Sequence, residues 1–215
     1  MTRRIEVPAE RLAGWYDRFA VHNGELAWEA RPDSVTVRAA NGATAVCTVP
    51  FAPLMGDPAA PYAGLVEHAL LDRRVGVLLV RKGGYAAGVF VGPDLVASKV
   101  GSRLVQGRAA AGGSSQQRFA RRRENQARQA YAAAADCAAR VLLPEVATLD
   151  AVVLGGDRRA VDLTLADPRL EQLRSLVVDQ LLPVPDPRQR VLLAAPAQFR
   201  AVHIELTDPA SLVVG

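Results

Sequence analysis

Residues 75–92, VGVLLVRKGGYAAGVFVG, constrain the fold of this chain more than any other stretch. Two apolar runs of strand length meet at Gly83-Gly84, and paired glycines supply the positive φ that a tight hairpin turn demands. Residues 94–107, DLVASKVGSRLVQG, predict a third, flanking strand with polar ends. Residues 151–156, AVVLGG, predict a buried strand running into a Gly-Gly turn, where Asp157 caps the helical stretch DRRAVDLTLAD. RLEQLRSLVVDQLL (169–182) predicts another helix, VPDPRQ a link, and the residues near 190–204 a final apolar strand. A hairpin followed by alternating helices and strands gives an α/β (α+β) fold, a layered mixed sheet with flanking helices.

The first 62 residues read as a separate, small α+β unit. PAERLAGWYDRFAVH (8–22) is an amphipathic helix, with Leu12, Trp15, Tyr16 and Phe19 at i, i+3, i+4 and i+7. ELAWEA, SVTVRAA and TAVCTVP are short strands, the last two joined by a hairpin at Asn41-Gly42. The proline-rich PFAPLMGDPAAPY (50–62) connects this unit, of unknown role, to a larger domain over 63–215 that opens on the helical AGLVEHALLDRR. No apolar run of about 18 residues appears, so no membrane partner is expected. Charges stand where a signal peptide needs its apolar stretch. Cys47 and Cys137 are far apart and form no CxxC pair. They read as reduced core residues of a cytoplasmic protein rather than a disulfide or a metal site.

The net charge of +4 conceals an asymmetry. From Arg73 to Arg123 there are eleven basic residues and one acid, Asp94. That segment carries +10, which leaves −6 for the rest of the chain. A basic block in an otherwise acidic chain points to a polyanionic partner. Within it lies RAAAGGSSQQRFARRRENQARQ (108–129), a glycine-rich loop over about 107–117 that opens a long basic helix over 115–140. At 100° per residue, Phe119, Ala127, Ala130, Ala134, Cys137 and Val141 share one face of that helix. Arg118, Arg121, Arg122, Asn125 and Gln129 share another, a polar stripe that starts at the loop. Lys99, Arg103, Arg108 and Arg128 extend the candidate RNA-binding set.

No histidine, cysteine, aspartate or glutamate occurs between Asp94 and Glu124. A Walker loop is excluded, because no lysine follows Gly113 at the needed spacing. Ser114-x-x-Gln117 matches a capping box, which gives Gln117 a structural duty and leaves Gln116 without one. His22, His68 and His203 are isolated and read as surface or core residues. No cofactor and no metal is expected.

GGSSQQRFARRR resembles the loop and helix start of the middle domain of eukaryotic and archaeal class-1 release factors, where a Gly-Gly-Gln loop precedes Arg-Phe-Ala-Arg-x-Arg. Arg118, Phe119, Ala120, Arg121 and Arg123 represent that pattern. The hairpin before the loop is similar to that domain's strand pair. The closer resemblance is to the Vms-type (VLRF-like) release factors, in their actinobacterial branch, whose GxxQ loop is matched by Gly113-Ser114-Ser115-Gln116. It covers roughly residues 73–205 and is specific around 107–128. Aligned through Arg-Phe-Ala-Arg, the glutamine of the three-residue loop falls on Ser114, so Gln116 and Gln117 both stand as the candidate amide.

The resemblance implies peptidyl-tRNA as substrate and the large ribosomal subunit as partner, with no DNA. Gln116 (or Gln117) would orient a water, and Gly112 and Gly113 would admit backbone N–H groups to the developing oxyanion. Three outcomes fit the same residues: ester hydrolysis of peptidyl-tRNA, cleavage of the tRNA near its 3′ end, and RNA or ribosome binding without chemistry.

Overall fold

The computed structural model describes residues 2–82, 84–102 and 115–209, with the side chains of 115–124 outside that set. In chain order the first elements are β1 (Thr2–Val7), α1 (Leu12–Asn23), β2 (Leu26–Ala30), β3 (Ser34–Ala39), β4 (Thr44–Thr48) and α2 (Leu65–Leu70). Then come β5 (Arg74–Arg81), β6 (Gly84–Val91), β7 (Asp94–Gly101) and the 28-residue α3 (Ser115–Leu142). The remainder is β8 (Ala151–Gly156), α4 (Arg158–Leu165), α5 (Glu171–Arg174), β9 (Val177–Leu182), α6 (Gln189–Leu193), α7 (Pro196–Phe199) and β10 (Val202–Thr207).

Two compact units result, each built on a five-stranded sheet. The expected boundary at 62/63 is corrected to 71/72, and residues 197–209 belong with the N-terminal unit. The reason is β10, which lies between β1 and β4 in an antiparallel sheet of order β1-β10-β4-β3-β2. Val202, Ile204 and Leu206 alternate inward there and are buried, so the strand can satisfy its pattern only on that sheet. β1 itself was not legible as a strand: it is an edge, and of its six residues only Val7 is buried.

In the N-terminal unit, α1 lays Leu12 and Tyr16 across Val35, Val37, Ala45 and Cys47. The Tyr16 ring stacks on Tyr62 at 3.7 Å between centroids, and its hydroxyl donates to Cys47 Sγ at 3.2 Å. A buried hydroxyl needs such a partner, or it costs more than its ring contributes. His68 is fully buried with both ring nitrogens used. Met55 N–H donates to Nδ1 at 2.9 Å, so Nε2 carries the proton and donates to the Pro50 carbonyl at 2.8 Å. That histidine ties the proline-rich connection to α2.

The second unit holds the mixed sheet, of order β7-β6-β5-β8-β9. β5 pairs parallel to β8, and β8 parallel to β9, while β6 is antiparallel to both its neighbours. β5 reads as an unbroken apolar run because it is central: Val75, Val77, Leu78, Leu79 and Val80 are all buried. Leu78, Val80, Ala87, Val89, Val152 and Leu154 face α3 and α4 through Ala134, Ala138, Val141, Leu142, Ala160 and Val161. Alanines on α3 let the helix lie close to the sheet.

Two sequence expectations fail here. The helix expected over 169–182 stops at Arg174, and Val177–Leu182 becomes β9. The open edge of β8 offers a parallel ladder, and Val177-Val178 fits it better than a continued helix. The strand expected near 190–204 is helical through Phe199, with Pro196 opening α7, and becomes a strand only at Val202.

Both cysteines are buried, and burial pushes the Cys47 thiol up to about 11 despite the Tyr16 hydrogen bond. Burial likewise raises Cys137, against the opposing pull of its Ala87 backbone contact and of Lys99 and Arg140. Neither thiol should react with iodoacetamide at about pH 8 in the native protein, since the thiolate is the nucleophile. Both should react in denaturant, and mass spectrometry of the two samples checks this.

Candidate functional site

β7 and α3 frame the glycine-rich loop. β7 ends at Gly101, which pairs with Tyr85 on β6, and α3 begins at Ser115. A Cβ on Gly101 would come within 2.5 Å of the Tyr85 ring, so glycine is what lets that ring lie over the end of the strand. This pair anchors the root of the loop. Its sequence signal is a glycine at the end of an otherwise β-forming run, paired with an aromatic on the next strand.

α3 is anchored at its other end. Ala130, Ala134, Cys137 and Val141 are buried and Ala127 is half-buried, as the wheel predicts. Asn125 and Gln129 are exposed, also as predicted. Arg128 joins that exposed face and donates from Nη2 to Asn125 Oδ1 at 2.7 Å. Lys99 sits half-buried on β7. Its carbonyl accepts from Cys137 Sγ at 3.3 Å, which ties β7 to α3 below the loop.

The backbones of Gln116, Gln117, Arg118, Arg121 and Arg122 are in the first two turns of α3, and their side chains lie outside the described residues. Arg103, Arg108, Gly112, Gly113 and the expected cap Ser114 also lie outside them. Of the expected site residues, only Lys99 and Arg128 are described with their side chains. Asp157 caps α4 as expected, its Oδ1 accepting from Ala160 N–H at 3.0 Å.

The basic block is partly neutralised by the fold. Arg74 donates to Glu145 at 2.6 Å, and its N–H meets Asp150 at 2.7 Å. Arg81 lies 3.8 Å from Asp186. These acids are remote in sequence, so the run of +10 overstates the free charge. Among the described residues, no group of three or more His, Cys, Asp and Glu side chains is placed to hold a metal ion. Among them, too, no helix is long and apolar enough to cross a membrane.

A mixed sheet with flanking helices defines an α/β protein, with the glycine-rich segment of the sequence falling between β7 and the long helix α3. Residues 73–205 match the family described as the Actinobacteria/chloroflexi VLRF1 release factors, and the chain belongs to that family. Among solved structures it is similar to an archaeal translation termination factor, aRF1, at 14% identity and a TM-score of 0.41, over 76% of this chain and 51% of that one. It is also similar to a second archaeal protein at 15% identity and a TM-score of 0.41, with the same coverage. The chain spans about half the length of each. No curated protein matches it.

Proposed function

We propose that the protein is a peptidyl-tRNA hydrolase that frees nascent chains from stalled large-subunit complexes in the cytoplasm. The carrying observation is membership of a release-factor family whose matched range includes the GxxQ motif, 113–116, whose Ser115 and Gln116 open α3. Residues 72–196 contain the catalytic domain in this reading. A carboxamide has no useful pKa, so Gln116 acts by orienting water rather than as a general base. The water attacks the ester carbonyl, and loop N–H groups at Gly112 and Gly113 meet the oxyanion. The tRNA 3′-oxygen then leaves with a proton, giving a peptide acid and an intact tRNA end. Positioning of this kind can contribute roughly 7–11 kcal/mol. Gln117 is the second candidate amide. Arg108, Arg118, Arg121, Arg122, Lys99, Arg103 and Arg128 hold the RNA backbone.

The test is release of a labelled nascent chain from purified peptidyl-tRNA–large-subunit complexes. Free tRNA with an intact CCA end is expected. A shortened tRNA would convert the reading to a 3′-end nuclease, and no product at all would leave an RNA-binding protein. The arginine stripe has its own readout. Arg121→Ala with Arg122→Ala should lower the log–log salt slope of binding by about one to two units, since each phosphate contact contributes about 0.7–0.9. An unchanged slope makes the stripe an ordinary solvated face.

A further inference from the structure

Four strands of the second sheet finish at one edge. β5, β8 and β9 are mutually parallel, and β7 shares their direction because it and β5 both run antiparallel to β6. Arg81, Gly101, Gly156 and Leu182 therefore end their strands together. The carboxyl ends of strands are where α/β sheets bind ligands.

Three further segments bring charge to that edge. The β5–β6 turn contributes Lys82, and the start of α4 contributes Arg158 and Arg159. A Cβ on Gly156 would sit 3.0 Å from Arg81 Cγ, so α4 opens beside the end of β5. Residues 183–188, with three prolines, cross the same edge. Arg81 Nη1 donates to the Val184 carbonyl at 2.8 Å, holding one end of the crossing. At the other end, a Cβ on Gly84 would lie 3.0 Å from the Pro187 carbonyl and 3.4 Å from that of Gly101. Arg188, next in the chain, is thus delivered beside the root of the loop.

Lys82, Arg158, Arg159 and Arg188 are exposed, and none makes a side-chain hydrogen bond or ion pair with a described residue. Three acids lie nearby: Asp186 pairs with Arg81, Asp157 accepts from Ala160 N–H, and Asp162 stands one turn along α4. Among the described residues the edge therefore carries more cations than acids, three of the four unpaired ones being guanidinium forks matched to phosphate oxygens.

We propose that Lys82, Arg158, Arg159 and Arg188 form an RNA-backbone contact that flanks the loop, separate from the arginine stripe of α3. The proposal rests on the ribosomal reading above and adds where the RNA is gripped. The surface is spread over 107 residues of sequence, so only the fold assembles it.

The test replaces all four residues by Gln and compares the variant with a charge-matched control, Arg11→Gln, Arg18→Gln, Arg31→Gln and Arg38→Gln in the N-terminal unit. Binding to peptidyl-tRNA–large-subunit complexes, to vacant large subunits and to deacylated tRNA is titrated with salt, alongside melting curves. The edge variant should lose about two to three units of log–log slope and the control less than one. A loss confined to the tRNA arm identifies tRNA as the source of the phosphates, and one confined to the subunit arm identifies ribosomal RNA. The proposal is overturned by an unchanged slope in a stably folded edge variant, by an equal loss in the control, or by a wild-type protein that binds neither RNA. Wild-type protein that binds but releases no peptide defeats the hydrolase reading alone, and the slopes still judge the edge.

Discussion

Gln116→Ala is expected to slow single-turnover peptide release about 10²-fold, the scale on which loss of one preorganised polar group acts. The melting temperature should hardly move. The substitution removes a carboxamide and leaves Ala, the best helix former, in the first turn of α3. Binding to the ribosomal complex should persist, because the arginines remain. Gln117→Ala should show the opposite pattern. If its side chain closes a capping box with Ser114, its loss costs about 0.5–2 kcal/mol of stability, and release falls only as far as the start of the helix frays. Release assays beside melting curves for both variants separate the two. Wild-type release from Gln116→Ala, with a folded but inactive Gln117→Ala, moves the catalytic role to Gln117. If neither variant is slowed, the hydrolase reading fails.

Gly156→Ala should destabilise the protein by about 3–4 kcal/mol, lowering Tm by about 10 °C for a chain of this size. Gly156 has φ +104, where an L side chain is strained. Its Cβ would also run into the Val80 carbonyl. That oxygen already accepts the Asp157 N–H at 2.9 Å, so relief means moving either β5 or the cap of α4. The paired control is Gly14→Ala in α1, where the nearest atom is the mobile Arg18 Nη1 at 3.4 Å. There Ala leaves the unfolded chain less backbone freedom to lose, and stability should rise by about 0.5–1 kcal/mol. Calorimetry of both variants checks the contrast, and a Gly156→Ala protein that melts with wild type would show that the turn relaxes freely.

The elements that could be read in advance are those whose residues carry their own reason. The hairpin β5–β6, the strand β8, the Asp157 cap, the Asn41-Gly42 turn and the two faces of α3 all follow from periodicity, glycine conformation and capping within a few residues. The candidate site is likewise a local reading of the sequence: Gly112, Gly113 and Gln116 fall within five residues, and the arginines recur at helical spacing behind them. The sequence alone therefore determined a mixed α/β unit with a long helix, α3, packed on its sheet through an alanine-rich face. Tertiary structure decided what depends on partners far along the chain. Val177–Leu182 became a strand because β8 had an open edge. β10 left the second unit because its alternating face fits between β1 and β4. Arg74 and Arg81 gained carboxylate partners in Glu145 and Asp186. Lys82, Arg158, Arg159 and Arg188 share one edge only because four strands end there. Hydrogen-bond ladders and ion pairs act over ångströms of space rather than positions of sequence, so no local pattern of residues could have announced them.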